Sequence, residues 1–548
     1  MSAQPVLLTG GRVFTAGMAA PRQADLLLEG GRIAAIGADL EPTGGARVID
    51  SRGSLIVPGF QDAHVHPIVA GVEMLRCDLT AARDVEDCVR IIHDYAAENA
   101  DAEWILGGGW SMDFFAGGLP SAELLDRIVP DRPVFLNNRD HHGAWVNTRA
   151  LQLAGIDGTS PDPHDGRIER HSDGSPSGVL HEGAAALVER HVPEVDTAFT
   201  VDALVRAQQT LFSFGITGWQ DAMVGAVNGL PDTIETYVEA LTTGRLRGRV
   251  TGAQWWLRDD GLGQTAALRD RRALVAALGS PDRLALDTVK IMVDGIAENY
   301  TAAMTQPYLD ADGRPTRNSG LSFIDPGRLR EIVRELDADG FTVHFHALGD
   351  RAVREALDAV EHARRTNGAA GGRHHLAHLQ VVHADDVPRF VDVDATANIQ
   401  ALWAAHEKQL DELTLPFLDP ELRPRQYPFG DLHRAGARFA AGSDWPVSTP
   451  DPLAAIHVAV NRTAPGSSAP PLGERQGLDL ATALTAYTAG SARVNGRDRM
   501  TGHLRVGASA DLAVLDRDPF LGDPLAIAET RVSTTWVDGE PVFTRSEQ

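Results

Sequence analysis

The chain has 548 residues, 43% hydrophobic and 23% charged, enough to bury a sizeable core and to argue against global disorder. Its 75 acidic residues outnumber 50 basic ones, and a formal net charge of -25 disfavours nucleic acid or an anionic membrane as a partner. Only Cys77 and Cys88 occur, too few for a disulfide framework or a thiolate zinc site.

No run approaches the roughly 18 apolar residues of a membrane span. The N-terminal stretch also lacks the basic and then apolar regions of a signal peptide, so a cytoplasmic setting is expected. Taken in chain order, VLLTGGRVFTAG, ADLLLEGGRIAAIG and ARVIDSRGSLIVPG are short apolar runs separated by Gly-rich turns, the pattern of strands. GASADLAVLDRD and RVSTTWVDGEPVFTR repeat that texture at the other end, with an Asp-Gly pair suited to a hairpin. The pattern predicts a small composite β-sandwich formed by both termini, from residues 1–60 and 510–548. Between them, GITGWQDA, DTVKIMVDG, FTVHFHALGD, HHLAHLQVV and ARFAAGSDW are β-rich and are followed by helix-like segments such as RAVREALDAVEHARR. Strand then helix, repeated over residues 61–509, predicts an α/β fold, a (β/α)8 TIM barrel. A doubly wound sheet is the alternative, but no dinucleotide fingerprint follows an early strand. The stretch from about 67 to 210 exceeds one crossover helix and is expected to hold an insertion. Within it, WILGGGWSMDFFAGG reads as a loop.

Strand side chains alternate faces. In PGFQDAHVHP, His64 and His66 therefore look the same way, and in FTVHFH so do His344 and His346. In DTVKIMVDG, Lys290, Met292 and Asp294 face the barrel interior, opposite Val289, Ile291 and Val293. His378 and Asp444 end two later strands. In a parallel barrel all C-terminal strand ends converge on one face, so residues far apart in sequence meet in space. Neutral imidazole and carboxylate are ligands for Zn2+ and related divalent ions, with Mn, Fe or Ni as alternatives. An open site of this kind acidifies bound water, and a nearby carboxylate can carry the proton. An inward lysine is usually an ion-pair partner, but a neutral one can capture CO2 and become a bridging carbamate.

In this order, PGFQDAHVH, the lysine of VKIMVDG, HALGD, H-L-A-H and GSDWP resemble the metal-dependent amidohydrolase superfamily. RDHHGAWVNTRAL, SGVLHEGA and GITGWQDA extend the resemblance to its YtcJ-like branch, which includes N-substituted formamide deformylase. The resemblance implies one or two ions held by His64, His66, Lys290 (carboxylated), His346, His378 and Asp444, with Asp444 also the proton shuttle. It implies hydrolysis of an amide C–N bond in a small molecule by metal-activated water, an N-substituted formamide being the nearest guess, and a homodimer as the assembly it suggests. Carbamates, esters, lactones or deamination could use the same site, and a catalytically silent scaffold is the reading from another class. His142 takes a substrate-side role. Of the tryptophans, Trp110, Trp145 and Trp403 are expected to line the substrate pocket, whereas Asp62, His344 and Asp294 are expected to support the ligands. Two positions depart from the family pattern: Ala377 stands where Glu is common, and Asp140-His141-His142 replaces D-G-H.

Overall fold

The computed structural model describes residues 4–226, 230–368 and 372–546; residues 1–3 and 547–548 of the two terminal segments lie outside it. Eight parallel strands follow one another in chain order: β1 (Phe60–Val65), β2 (Ile216–Val224), β3 (Arg249–Trp255), β4 (Leu284–Met292), β5 (Thr342–Ala347), β6 (His375–His378), β7 (Thr396–Ile399) and β8 (Arg438–Ala441). Among the described residues no ladder joins β8 to β1. The seam is instead stitched just beyond the strand ends, where Asp444 N–H donates to His64 O (2.7 Å) and His66 N–H to Trp445 O (2.9 Å). The barrel is thus nearly closed, and its last stitches lie at the C-terminal mouth.

Alternation explains the layers. Val289 and Ile291 of β4, with Val343 and Phe345 of β5, are fully buried in the core shared with the surrounding helices. Helix Asp350–Asn367 presents Val353, Ala356, Leu357, Val360 and Ala363 to that core at helical spacing. Helix Pro326–Ala338 begins at Asp325, whose carboxylate accepts Arg328 N–H.

The segment between β1 and β2 is more ordered than its sequence suggested. It forms a six-stranded sheet in the order Gly166–Arg170, Pro176–Glu182, Gly143–Val146, Val134–Asn138, Ile105–Trp110, Cys77–Asp78. ILGGGW, expected as a loop, is a strand of this sheet. Its glycines permit close approach: a Cβ on Gly107 would stand 2.1 Å from Cys77 O, and one on Gly108 would stand 2.5 Å from Glu73 Oε1. Helices Pro67–Met74 and Thr197–Ser213, inside the expected insertion, pack with the barrel core instead. Gly71 allows their contact, since a Cβ there would meet Ala203 O at 2.0 Å.

Strands from both ends of the chain share one sheet, in which Leu55–Pro58 pairs antiparallel with Leu512–Leu515. Asp538 and Gly539, both at positive φ, turn the chain between Val532–Val537 and Glu540–Thr544. A four-stranded sheet (Val6–Thr9, Asp25–Glu29, Arg32–Gly37, Arg47–Asp50) faces it. Leu8, Leu26, Ile56, Leu512 and Trp536 fill the space between the two. Cys77 and Cys88 are free and buried. No helix among the described residues is long and apolar enough to cross a membrane.

Candidate metal centre

The C-terminal ends of β1, β4, β5, β6 and the turn after β8 bring His64, His66, Lys290, His346, His378 and Asp444 to the wall of one cavity of ≈ 800 Å³. Asp444 is the hub. Its Oδ1 lies 3.1 Å from His64 Nε2 and 3.0 Å from His66 Nε2, and its Oδ2 lies 3.7 Å from His378 Nδ1. Oδ1 is buried and has no partner in hydrogen-bond geometry; the same holds for His66 Nδ1 and His378 Nδ1. Among the described residues, His64, His378 and Asp444 offer ligand atoms within 4.8 Å of one another. Asp444 Oδ1 and His378 Nδ1, buried and close together with His64 without bonding one another, are what a divalent cation would satisfy, so the residues fit the group.

The protonation states suit that role. Burial pushes His64 down to about 3 and His378 well below the ordinary imidazole range, so both rings are neutral. Burial alone would raise Asp444, but the surrounding histidines hold its carboxyl well below the usual range. Lys290, 2% exposed, is pushed down to about 7 by burial, with the Asp444 charge acting in the opposite direction.

The tautomer of His64 follows from a chain of hydrogen bonds. Gln220 Nε2 donates to Asn495 Oδ1 (3.2 Å), which leaves Gln220 Oε1 to accept from His344 Nδ1–H (2.6 Å). His344 is held well below its usual pKa by burial, so its Nε2 is a bare acceptor and takes His64 Nδ1–H (2.9 Å). His64 Nε2 is thereby left with its lone pair towards Asp444. Asp62 works from behind the same strand. Its carboxylate accepts His64 N–H (2.9 Å), Ser443 N–H (3.1 Å) and Ser443 Oγ–H (2.6 Å), tying β1 to the turn after β8.

His378 (φ 78°) and Asp444 (φ 56°) both sit in the left-handed region. Such positions cost about 1–3 kcal/mol each and persist where neighbours fix them. Here His378 N–H donates to Gln400 Oε1 (2.7 Å) and Asp444 N–H to His64 O.

The remaining expected residues divide. His346 Nε2 lies 3.3 Å from Gly295 O and outside the tight trio, although its ring is 4.4 Å from that of His378. Asp294 is engaged by the backbone, accepting Ala303, Leu348 and Gly349 N–H at 2.8, 3.1 and 2.9 Å; it organises the loops after β4 and β5. His142 arrives from the inserted sheet, with its ring 5.4 Å from that of His346 and its Nδ1 2.8 Å from Glu182 Oε2. Burial would lower its pKa, but the charges of Glu182 and Asp140 raise it to about 9. Trp403 stacks on His378 at 5.4 Å and 15°.

Trp110 and Trp145 correct the pocket expectation: they line neither cavity at the mouth. They pack on each other and on Phe115 inside the inserted sheet's core, and their indole N–H groups bond Leu136 O and Ser121 O. Sequence reasoning gave His141 no role, yet it lines the ≈ 800 Å³ cavity, with Nε2 3.4 Å from Glu73 Oε1. The doublet with His142 was the available signal.

Known proteins are similar to this chain over most of their length. The chain is 28% identical to the putative amidohydrolase YtcJ of Bacillus subtilis, covering 91% of this chain and 90% of that one. It is 27% identical to N-substituted formamide deformylase of Arthrobacter pascens, covering 94% of each. An uncharacterized metal-dependent hydrolase from Pyrococcus horikoshii OT3 has the same fold, with a TM-score of 0.71 at 24% identity over 95% of this chain and 99% of that one. The model of the amidohydrolase family matches residues 47–543, and with the histidine and aspartate ends of its barrel strands the chain belongs to that family.

Proposed function

We propose that the protein hydrolyses an amide C–N bond of a small molecule, with His64, His66, His346, His378 and Asp444 holding one or two divalent ions, Zn2+ or else Mn, Fe or Ni. The observation that carries this is the convergence of His64, His378 and Asp444 from three barrel segments within 4.8 Å. A bound ion supplies Lewis acidity towards a carbonyl oxygen and lowers the pKa of water. Asp444, ionised and facing three imidazoles, accepts the proton of the attacking water and returns it to the departing nitrogen. Lys290, pushed down to about 7 by burial and therefore partly neutral at pH 7, can take up CO2 and join the ligand set as a carbamate. His142, held by Glu182, donates to the substrate carbonyl. Likeness to the A. pascens deformylase supports an N-substituted formamide as one substrate. The shared core between the two terminal sheets supports reading residues 1–60 and 510–548 as one composite sandwich.

The test is the metal content of protein purified without added metal, followed by a hydrolysis panel of N-formyl amines, N-acyl amino acids, carbamates and aryl esters. Bound metal and turnover of an amide, reduced about 10²–10⁴-fold in Asp444→Ala, are expected. Absence of hydrolysis across the panel after metal addition sinks the proposal.

A further inference from the structure

A second cavity, of ≈ 540 Å³ and walled by Leu402, Trp403 and Tyr427, opens beside the ≈ 800 Å³ one walled by Ala185, Trp255 and Leu257. Asp140, His142, His346, His378, Asp444 and Val447 line both. The two lobes therefore meet at His346, His378 and Asp444 of the proposed metal centre. Lys290, His64 and His66 face only the larger lobe.

The position of Asp444 makes this partition informative. If Asp444 returns the proton to the departing nitrogen, the scissile bond lies against the shared wall, with one lobe on either side of it. Each lobe alone falls within the roughly 300–1,000 Å³ that suits a drug-sized ligand. A formyl group adds only a carbon and an oxygen on the acyl side, so a formamide would fill one lobe and leave the other to solvent. The smaller lobe carries flat aromatic surface at the partition, where Trp403 lies parallel to the His378 ring.

We propose that the substrate spans the partition, with a ring-sized group on each side of the bond that is cleaved. This rests on the amide-hydrolysis reading and narrows it towards bulky N-acyl amines and away from formamides. The lobes act as paired specificity pockets, and Leu402 and Ala185 mark their separate walls.

Binding tests this without turnover. Zn2+-loaded protein is titrated calorimetrically with two sulfonamides that have no carbonyl to hydrolyse: N-benzylmethanesulfonamide, with one ring, and N-benzyl-1-phenylmethanesulfonamide, with a ring on each side. The two-ring ligand is expected to bind at least tenfold more tightly. Leu402→Trp, filling the smaller lobe, and Ala185→Trp, filling the larger, should each bring that ratio to within twofold, in variants whose melting shows them folded. Equal affinity of the two ligands in the unmodified protein overturns the proposal, as does an advantage that survives both substitutions. In parallel, kcat/KM for N-benzyl-2-phenylacetamide should exceed that for N-benzylformamide at least tenfold. A two-ring advantage in binding without hydrolysis of any amide would refute the hydrolytic reading and leave the two-lobed site standing. Hydrolysis of amides without that advantage would refute the two-lobed site alone.

Discussion

At the scale of single residues, the site depends on neutral rings with defined tautomers, and a neighbouring imidazole sets the one that matters most. His344 stands between Gln220 and His64 and leaves the His64 Nε2 lone pair on the ligand side. His344→Ala should therefore lower metal affinity about 10–100-fold, the usual effect of losing a group that orients a ligand. Competition with a chromophoric chelator measures it, and a loss under twofold would show that the chain of bonds does not set the tautomer. Alternation made the inward direction of His64, His66, His344 and His346 legible. It could not say which inward histidine meets the centre. That is decided by register across strands: Lys290 lies level with His344, and Met292 with His346. The further step along β5 places His346 nearer the mouth. No single strand contains that information. The tryptophans were misread for a related reason. Aromatic residues near a motif fit a pocket wall or a core equally well, and Trp110 and Trp145 are held in the core by their own N–H bonds.

At the scale of elements, the barrel strands were legible because buried parallel strands read as apolar runs ending in polar residues. The inserted sheet was not. Three consecutive glycines carry no side-chain alternation, yet they make Ile105–Trp110 the strand that its neighbours can approach most closely. The joint between barrel and terminal sheets was equally hidden, because it consists of charges 262 residues apart. Arg249 of β3 reaches Asp511, with both side chains almost fully buried (2% and 1% exposed), and also Asp538, which is 39% exposed. Asp511 further accepts Asp538 N–H at 2.9 Å. Removing one member of a buried pair leaves the other charge unsatisfied, so Asp511→Ala should destabilise the fold by about 3–5 kcal/mol. Asp538→Asn keeps a residue tolerant of positive φ and removes a solvent-screened charge, and should cost at most about 1 kcal/mol. Urea unfolding of the two variants tests the ranking, and equal losses would contradict it.

At the scale of the whole molecule, the candidate metal centre and the closure of the barrel are one feature. Among the described residues β1 and β8 share no ladder, and their ends are joined by the backbone bonds of His64, His66, Asp444 and Trp445 and by the bonds from Ser443 to the Asp62 carboxylate. An ion held between His64, Asp444 and His378 would span that seam and also reach β6. It would bind only the folded chain, because only folding brings residues 64, 378 and 444 together. By mass action, free metal at 1,000 times its dissociation constant stabilises the fold by about 4 kcal/mol, and the gain grows with concentration. The melting temperature should therefore rise on adding Zn2+ to chelator-treated protein and fall again on chelation. In Asp444→Ala the tight trio loses its carboxylate, and the metal-dependent part of the rise should largely vanish, whatever that variant's own melting point. A seam held by its own hydrogen bonds alone would melt at the same temperature with and without metal. That result would separate the folding of the barrel from the filling of its centre.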